Sequence, residues 1–479
     1  MSKPKVLGIL LGFLSAITPT HADLVNGDKL TETFQLQGWH QAITCKTQSI
    51  KVAVLDNGFS GFKPGMASLP SSTVLVEGAV NAQADTGHGL AMAEILWSTM
   101  GKYAQVEMTL INTNGFSNFK NAITYVIENK IDIVLYSQVW SFGGNFNGKG
   151  LINALVTRAT SAGIVWINAA GNFGSRVYDQ VLSHALHEEP TFFVQKGDQP
   201  ITITLSWNDF SDNEQEATDQ DLDFQVVNHS DEVVGESVLR QNGAIVARGT
   251  KGVSGYAREK LVMKEVVPGE YRIKIKKISN NFNLRSRVRI LIESAPEALM
   301  FASATPDREI FPPADHPAVL TIGEDSLLSS RSMASIPPNK PDLVLPIFGA
   351  KILGSEIPVR GSSVSAAIFS GVVAMMKVLK PSITRNQISK FLKSRTPVVQ
   401  YDPGLIEQSS SEIPSSWRGL FRPEMKLTKS ITTGQYVVLT PYEPKDLLFT
   451  VPAECRRTQS PWAPQLWRAI DVQEFLSSK

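Results

Sequence analysis

Residues 131–172 carry the pattern that decides the fold: IDIVLYS (131–137), GLINALVTRATSAG (150–163) and IVWINAAGN (164–172). The first and last segments are nearly continuous apolar runs, which are typical of strands that are buried on both faces. The middle segment has its apolar residues at helical spacing. A strand, a helix and a second strand in this order predict a parallel pair joined by a crossover helix.

The same alternation continues toward the N-terminus. SIKVAVLD (49–56) and VEMTLI (106–111) are short apolar runs, and NFKNAITYVIENK (118–130) again has helical spacing. We therefore predict an α/β fold with a doubly wound parallel sheet that helices cover on both faces. Ligands of such sheets bind beyond the carboxyl ends of the strands, so functional side chains are expected at that edge.

A different pattern begins after Pro190. Residues 191–297 contain short segments that alternate apolar and polar residues, among them ITITLSWND, DLDFQVVN and GEYRIKIKK. A period of two with turn residues between the segments predicts an antiparallel β-sandwich. The earlier pattern returns from Ala298, in AVLTIGED, KPDLVLP and GSSVSAAIFSGVVAMMKVL. The sandwich is therefore predicted to be an insertion that divides one α/β domain into residues 23–190 and 298–397.

The C-terminal region, residues 398–479, is rich in Pro, Ser and aromatic residues. It contains one predicted strand pair, in ITTGQYVVLTPYEPKDLLFTV (431–451). The sequence assigns no role to this region.

The composition excludes several classes of protein. The 479 residues are 42% hydrophobic, which is ample for a folded core and excludes disorder throughout. The 46 Lys and Arg against 45 Asp and Glu give a net charge of +1, and no basic patch stands out, so neither a nucleic-acid nor a membrane partner is expected. The 2 Cys cannot form a four-thiolate zinc site. The sequence carries no signal for an oligomeric state.

The first 22 residues have the features of a secretory signal peptide. Two lysines precede an apolar run over residues 6–17, and the small residues Thr20 and Ala22 precede a predicted cleavage before Asp23. A membrane anchor is the alternative, but the run is shorter than the roughly 20 residues that a bilayer span needs, and no later stretch is expected to span. We predict an exported protein, either periplasmic or extracellular.

Export changes the interpretation of the two cysteines. In an oxidising compartment Cys45 and Cys455 could form a disulfide that ties the start of the mature chain to its end. The alternative is two separate buried thiols.

Three polar residues stand at the ends of predicted elements. Asp56 ends an apolar run, His88 lies between two glycines before the helical AMAEIL, and Ser363 follows Gly361 and Ser362 at the start of a helix of small residues. Amide groups at a helix start favour a developing oxyanion. Each residue alone also has a structural interpretation, as a turn aspartate, a structural histidine and an N-cap serine.

Taken together, these segments resemble the subtilisin-like serine proteases, the subtilases. VAVLDNGF is similar to the aspartate motif of that family, GHGLAMAEIL to its histidine motif, INAAGNFG to its oxyanion segment and GSSVSAAIFSG to its serine motif. KPDLVLP also resembles the stretch that precedes the serine motif. The resemblance covers roughly residues 38–190 and 298–395, and it implies a subtilisin-like fold.

The resemblance implies a role for each motif residue. Ser363 would be the nucleophile, His88 the general base and acid, and Asp56 the group that orients the imidazole. Asn172 and the Ser363 amide would bind the oxyanion. Extended substrates would pair with a strand edge. The residues expected along that edge are Ser137, Ser141, Gly143 and Gly144.

The sequence departs from the family pattern at several positions. The histidine motif usually has a second histidine three positions after the first, but Leu90 and Ala91 follow Gly89 here. In the serine motif, Ser362 replaces the usual Thr, Ser365 the usual Ala and Ala367 the usual Pro. None of these changes removes a group that performs the chemistry. A subtilase scaffold that has lost catalysis and acts as a binding protein is the alternative function.

One further expectation concerns the segment before the catalytic domain. About 33 residues separate the predicted cleavage point from Asp56, which is too few for a folded inhibitory pro-domain. The enzyme is therefore expected not to be activated by removal of a large N-terminal pro-domain.

The predicted insertion resembles the jelly-roll-like modules of bacterial secreted proteases. Asp219, Asp221 and Asp223 within it are predicted to alternate along one strand face and could bind structural calcium through oxygen. A solvated strand edge is the commoner origin of such a pattern. His184 and His187 lie near two glutamates, but they lack the spacing of a metalloprotease motif.

The sequence thus predicts a secreted serine endopeptidase that hydrolyses proteins or peptides. Its chemistry would require no cofactor.

Overall fold

The computed structural model describes residues 27, 30–31, 34, 36–44, 48–78, 86–101, 105–197, 199–244, 252–295, 298–332, 339–345, 347–350 and 359–393, and the strands 405–407, 426–430, 436–441 and 467–471. The predicted signal peptide and both cysteines, Cys45 and Cys455, lie outside the described residues. The predictions of export and of a disulfide therefore stay predictions.

The centre of the molecule is a seven-stranded sheet in which every neighbouring pair is parallel. Its interior strands are apolar on both faces because helices cover both sides. This confirms the predicted α/β fold. In chain order the strands are β1 (Ile50–Asp56), β2 (Val74–Val76), β3 (Val106–Asn112), β4 (Ile133–Tyr136), β5 (Val165–Ala169), β15 (Leu320–Glu324) and β16 (Leu343–Leu345), and their order in space is β16-β15-β5-β4-β1-β3-β2.

Two groups of helices pack on the opposite faces of this sheet. The residues of α1, α2 and α6 belong to one apolar cluster, and those of α3 and α4 belong to another. Helix α7 joins the first cluster through Ile388, whereas the short α5 packs in the core of the antiparallel sheets. The helices are α1 (Gln37–Thr44), α2 (His88–Thr99), α3 (Phe116–Glu128), α4 (Leu151–Ser161), α5 (Leu182–Ala185), α6 (Ser362–Leu379) and α7 (Arg385–Lys393).

Helix α6 packs closely against α2 because a glycine lies at their crossing. A β-carbon on Gly371 would lie 2.6 Å from Thr99 Cβ and 2.8 Å from the Leu96 carbonyl oxygen. By length and hydropathy α6 could cross a membrane, although the sequence analysis expected no such stretch, but it is 94% buried within the described part of the molecule. It is therefore a core helix.

Two antiparallel sheets interrupt the chain between β5 and β15. The first strand begins at Val177, before the predicted boundary at 191, and the last ends at Phe301. Apolar side chains from both sheets form one shared core. The sheets have the orders β10-β9-β12-β7-β14 and β11-β8-β13-β6. Their strands are β6 (Val177–Val181), β7 (Thr191–Val194), β8 (Ile201–Trp207), β9 (Leu222–Asn228), β10 (Val233–Ser237), β11 (Arg258–Met263), β12 (Gly269–Lys277), β13 (Arg287–Glu293) and β14 (Leu299–Phe301).

The described strands of the C-terminal region form a separate antiparallel sheet, β17 (Leu405–Glu407), β18 (Lys426–Ser430), β19 (Tyr436–Pro441) and β20 (Trp467–Asp471). β19 coincides with the first half of the predicted strand pair, and it pairs with β18 and β20. The second half of the predicted pair, residues 446–451, lies outside the described residues.

Candidate active site

Three element ends bring the polar motif residues to the carboxyl edge of the parallel sheet. Asp56 is the last residue of β1, His88 the first residue of α2, and Ser363 the second residue of α6. β1 and β4 are neighbours in the sheet, so residue 137, directly after β4, lies at the same edge as Asp56. This edge is where open parallel sheets bind ligands.

Asp56 and His88 form a direct hydrogen bond. Asp56 is fully buried, and its Oδ2 lies 2.8 Å from His88 Nδ1. The other carboxylate oxygen, Oδ1, accepts from the Asn57 amide at 2.8 Å and from Gln138 Nε2 at 3.1 Å. Both oxygens of this buried charge are therefore hydrogen-bonded, as a buried charge requires.

The backbone beside this pair leaves no space for a side chain. A β-carbon on Gly89 would lie 2.6 Å from Asp56 Cβ and 2.8 Å from the Gly58 carbonyl oxygen. The glycine after His88 therefore allows α2 to begin directly against the end of β1, which places the imidazole on the carboxylate.

The electrostatic balance at His88 favours its charged form. Burial acts to lower the pKa of His88, but the hydrogen bond to Asp56 and the negative charge of Asp56 outweigh it and raise the pKa above 6.5. The imidazole thus gains its proton more readily than an isolated histidine. Its side chain keeps 29% of its surface exposed, so it can be reached from solvent.

Ser363 is only 7% exposed, and its hydroxyl donates to the Ser137 carbonyl at 3.2 Å. Among the described residues no hydrogen bond joins Ser363 to His88. The side chain of residue 138, the next along the chain, contacts both Asp56 and His88. The structure thus brings all three motif residues to the 137–138 segment, and the hydroxyl would have to turn from Ser137 to the imidazole to react.

Asn172 is held in one orientation beside the nucleophile. Its Oδ1 accepts from the Ser362 amide at 3.0 Å and from the Ser362 hydroxyl at 3.1 Å. Because a backbone N–H can only donate, the side-chain oxygen faces Ser362 and the Nδ2 donors are left for another acceptor. Ser362 Oγ also accepts from the Gly171 amide at 3.0 Å, so this one hydroxyl joins the ends of β5 and the start of α6.

The glycine before the two serines is also required. Gly361 has φ +114°, and a β-carbon there would lie 2.7 Å from Asn172 Nδ2. Its amide donates to Glu324 Oε1 at 2.8 Å, which ties the start of α6 to the end of β15. Gly361 belongs to the predicted serine motif, whereas no predicted motif includes Glu324.

The segment expected to bind extended substrate is only partly accessible. Gly143 and Gly144 are buried, because the Gly143 carbonyl accepts from the Ile152 amide at 3.0 Å and the β-carbon position of Gly144 is 2.9 Å from Pro312. Ser141 is partly exposed, whereas Ser137 is buried under the Ser363 hydroxyl. Residues 138–142 are the partly exposed stretch of this segment.

The three aspartates considered for calcium do not share one strand face. Asp219 and Asp221 precede β9, which begins at Leu222, and Asp219 accepts from Asn281 Nδ2 at 2.6 Å. Asp221 is 6% exposed, so it is not a residue of a solvated edge. Within the described ranges no group of three or more His, Cys, Asp or Glu is arranged to hold a metal ion. His184 pairs with Glu188 at 3.0 Å on the surface.

Gln138 is the main residue that the sequence analysis missed. It belongs to no motif, and a polar residue after a buried strand is common in loops. Only the register of β4 against β1 shows that it lies beside Asp56.

One comparison with known proteins, the match to a family model, identifies a family. The model of the Subtilase family matches residues 47–410. Among solved structures, the CspB protease of Clostridium perfringens is 15% identical, with a TM-score of 0.48 over 78% of this chain and 90% of that chain. MycP1 with its N-terminal propeptide removed is 14% identical, with a TM-score of 0.35 over 77% of this chain and 89% of that one. No curated protein matches the sequence.

Proposed function

Because this chain belongs to the subtilase family, we propose that it is an exported serine endopeptidase that hydrolyses peptide bonds through an acyl-enzyme on Ser363. The observation that carries the proposal is the 2.8 Å hydrogen bond between buried Asp56 and His88, at the sheet edge that Ser363 shares. The family match alone gives the class of enzyme. The pair supplies the base that a serine hydroxyl needs for attack.

The proposed reaction uses two proton transfers by one imidazole. His88 Nδ1 keeps its proton in a hydrogen bond to Asp56 Oδ2, which leaves Nε2 as the base. Ser363 Oγ attacks the peptide carbonyl carbon while its proton passes to Nε2. The same proton then passes to the leaving nitrogen as the C–N bond breaks. Water next attacks the acyl carbon and gives a proton to Nε2, which passes it to Ser363 Oγ as the C–Oγ bond breaks and the acid leaves.

Stabilisation of the oxyanion is assigned to two donors. Ser363 N–H lies in the first turn of α6, where amides have no acceptor within the helix. Asn172 Nδ2 is the side-chain donor, since Ser362 occupies its oxygen. Loss of one such donor typically lowers turnover by about a hundred- to a thousandfold.

A catalytically silent scaffold is the second candidate function. The observation that favours it is the Ser363 hydroxyl, which is bonded to Ser137 instead of His88. Hydrogen bonds between catalytic groups are often long or misaligned before substrate binds and tighten in the complex, so this geometry is compatible with both candidates.

A fluorophosphonate probe separates the two functions. The enzyme predicts covalent labelling of the wild type and none of Ser363→Ala. Ser365→Ala is a matched control, because it removes a buried hydroxyl two residues further along the same helix, and it should label like the wild type. Folded wild-type protein that takes up no label would overturn the enzyme and leave the scaffold.

Substrate class and compartment follow from the same proposal. We assign protein or peptide substrates, which would bind along the partly exposed residues 138–142. We also assign an exported location. N-terminal sequencing of protein recovered from the periplasm or the medium tests the location, and the expected mature start is Asp23.

A further inference from the structure

Gln138 makes a contact that no motif of the sequence accounts for. Its side-chain amide donates to Asp56 Oδ1 at 3.1 Å, and the same nitrogen lies 3.4 Å from His88 Nδ1. The residue is partly exposed, whereas Asp56 is fully buried. The amide therefore covers the carboxylate on the side that faces the partly exposed segment 138–142.

The backbone that carries this amide is held at its own carbonyl. The Gln138 carbonyl accepts from Asn168 Nδ2 at 3.0 Å. Asn168 is fully buried, and its own oxygen accepts from Trp166 Nε1 at 3.1 Å. The position of Gln138 is thus set by the rigid ends of β4 and β5.

The three donors to Asp56 do not constrain it equally. The Asn57 amide is the next backbone group and moves with Asp56 itself, so it does little to orient the carboxylate relative to the rest of the site. His88 is the group that must be oriented. Gln138 is therefore the one donor, among the described residues, that ties the carboxylate to a different strand.

We propose that Gln138 is a positioning residue for the Asp56–His88 pair, an inference that rests on the proposed function. By holding Oδ1, its amide keeps Oδ2 directed at His88 Nδ1, which fixes the tautomer with the free base at Nε2. It acts through Asp56 and contacts no reacting atom.

Two substitutions test this role in the full-length protein. Gln138→Leu keeps the approximate size of the side chain but removes the donor, and it should lower the rate constant of fluorophosphonate labelling about tenfold, as expected for a lost hydrogen bond to a charged group. Gln138→Glu keeps the shape but places a second negative charge near His88. It should raise the pKa of His88 and move the acid limb of the pH–rate profile to higher pH.

Gln225→Leu is the matched control. Gln225 Nε2 also donates to a carboxylate, Glu236 Oε2 at 2.9 Å, but this hydrogen bond is exposed and lies in the insertion. This variant should keep the wild-type labelling rate and pH profile. Melting temperatures of all variants show whether a slower rate comes from lost structure, and if Gln138→Leu does not fold, Gln138→Glu alone gives the pH readout.

The outcome separates this proposal from the proposed function. If the wild type labels but Gln138→Leu labels within twofold of it with an unchanged pH profile, the positioning role is wrong and the enzyme stands. If the wild type does not label, the enzyme fails, and NMR titration of labelled histidine still decides. A His88 pKa that is unchanged in both variants overturns the role of Gln138, and a raised value in Gln138→Glu supports it.

Discussion

Single side chains at this site act through the groups that hold them. Ser362 stands where the family has Thr, and its hydroxyl both accepts from Gly171 and donates to Asn172. A Thr hydroxyl could make the same two bonds, so this departure from the motif preserves the oxygen that matters. The second histidine of the motif is also absent, and Leu90 and Ala91 occupy the two positions after Gly89. Both side chains are buried on α2, so they contribute to the apolar core.

The pH dependence of labelling follows from His88. Only the neutral imidazole can accept the Ser363 proton, and Asp56 raises the pKa of His88 above 6.5. The labelling rate should therefore be highest above this pKa and fall toward tenfold per pH unit below it. Rate constants measured between pH 5 and pH 9 test this, with near-UV circular dichroism at each pH as the control for folding. A rate that stays level or rises toward pH 5 would contradict the role of His88.

The motif residues could be found from the sequence, but their contacts could not. Each motif residue stands at the end of an apolar run or at a glycine turn, and such positions can be recognised in the sequence alone. These residues are Asp56, His88, Asn172 and Ser363. Gln138 and Glu324 act across strands that are far apart in the chain, so only the strand order brings them to the site. The assigned catalytic roles stay predictions until labelling is measured.

The strands and helices of the α/β domain lie where the spacing of apolar residues predicts them. The strands of the parallel sheet were predicted from continuous apolar runs, and these runs arise because helices cover both faces. The bounds of the insertion were harder to predict. β6 (Val177–Val181) reads VYDQV, and its antiparallel partner β13 is more than 100 residues away, so no local pattern distinguishes it from the α/β segment before it.

The crossing of α6 and α2 gives a stability prediction. Gly371→Ala would raise the helix propensity of α6, yet its β-carbon would meet Thr99 and the Leu96 backbone at less than 3 Å. The steric clash should outweigh the gain in helix propensity and destabilise the protein by about 1–3 kcal/mol, as overpacking of a core typically does. Thermal unfolding measures the effect.

Ser370→Ala is the neighbouring control on the same helix. It removes a hydroxyl that only bonds back to the Ala366 carbonyl at 2.8 Å, so the melting temperature should change little. An equal or higher melting temperature for Gly371→Ala than for the wild type would show that the two helices can separate without cost.

The insertion and the α/β domain are joined by a buried charge cluster. Asp179 in β6 is 1% exposed and pairs with Arg287 and Arg289 of β13, while Arg289 Nη1 also donates to the Ile310 carbonyl at 2.7 Å. Burial opposes the charge of Asp179, but the two arginines outweigh it and lower the pKa of Asp179. Its stabilising effect is therefore present at neutral pH and is lost only as the pH falls through that lowered pKa.

Removal of this carboxylate should be costly. Asp179→Ala would leave the 5% exposed Arg289 without its partner, and an uncompensated buried charge typically destabilises by about 3–5 kcal/mol. Chemical denaturation measures the loss. Asp231→Ala is the comparison, because that aspartate pairs with Arg272 and Lys274 on an exposed surface and should matter little. Equal effects of the two changes would show that the buried cluster does not hold the units together.

The neck of the insertion has a consequence for how this chain tolerates change in length. Glu309, on the returning segment, accepts from the amides of Ser175 at 2.9 Å and of Arg331 at 3.2 Å, so the departing and returning backbones are clamped side by side. A loop whose two ends are already adjacent adds little entropic penalty as it lengthens, roughly 0.6 kcal/mol for each doubling. The clamp at Glu309 holds the two backbones together whatever the length of the segment between them. This neck is therefore a suitable position for inserting or removing a module.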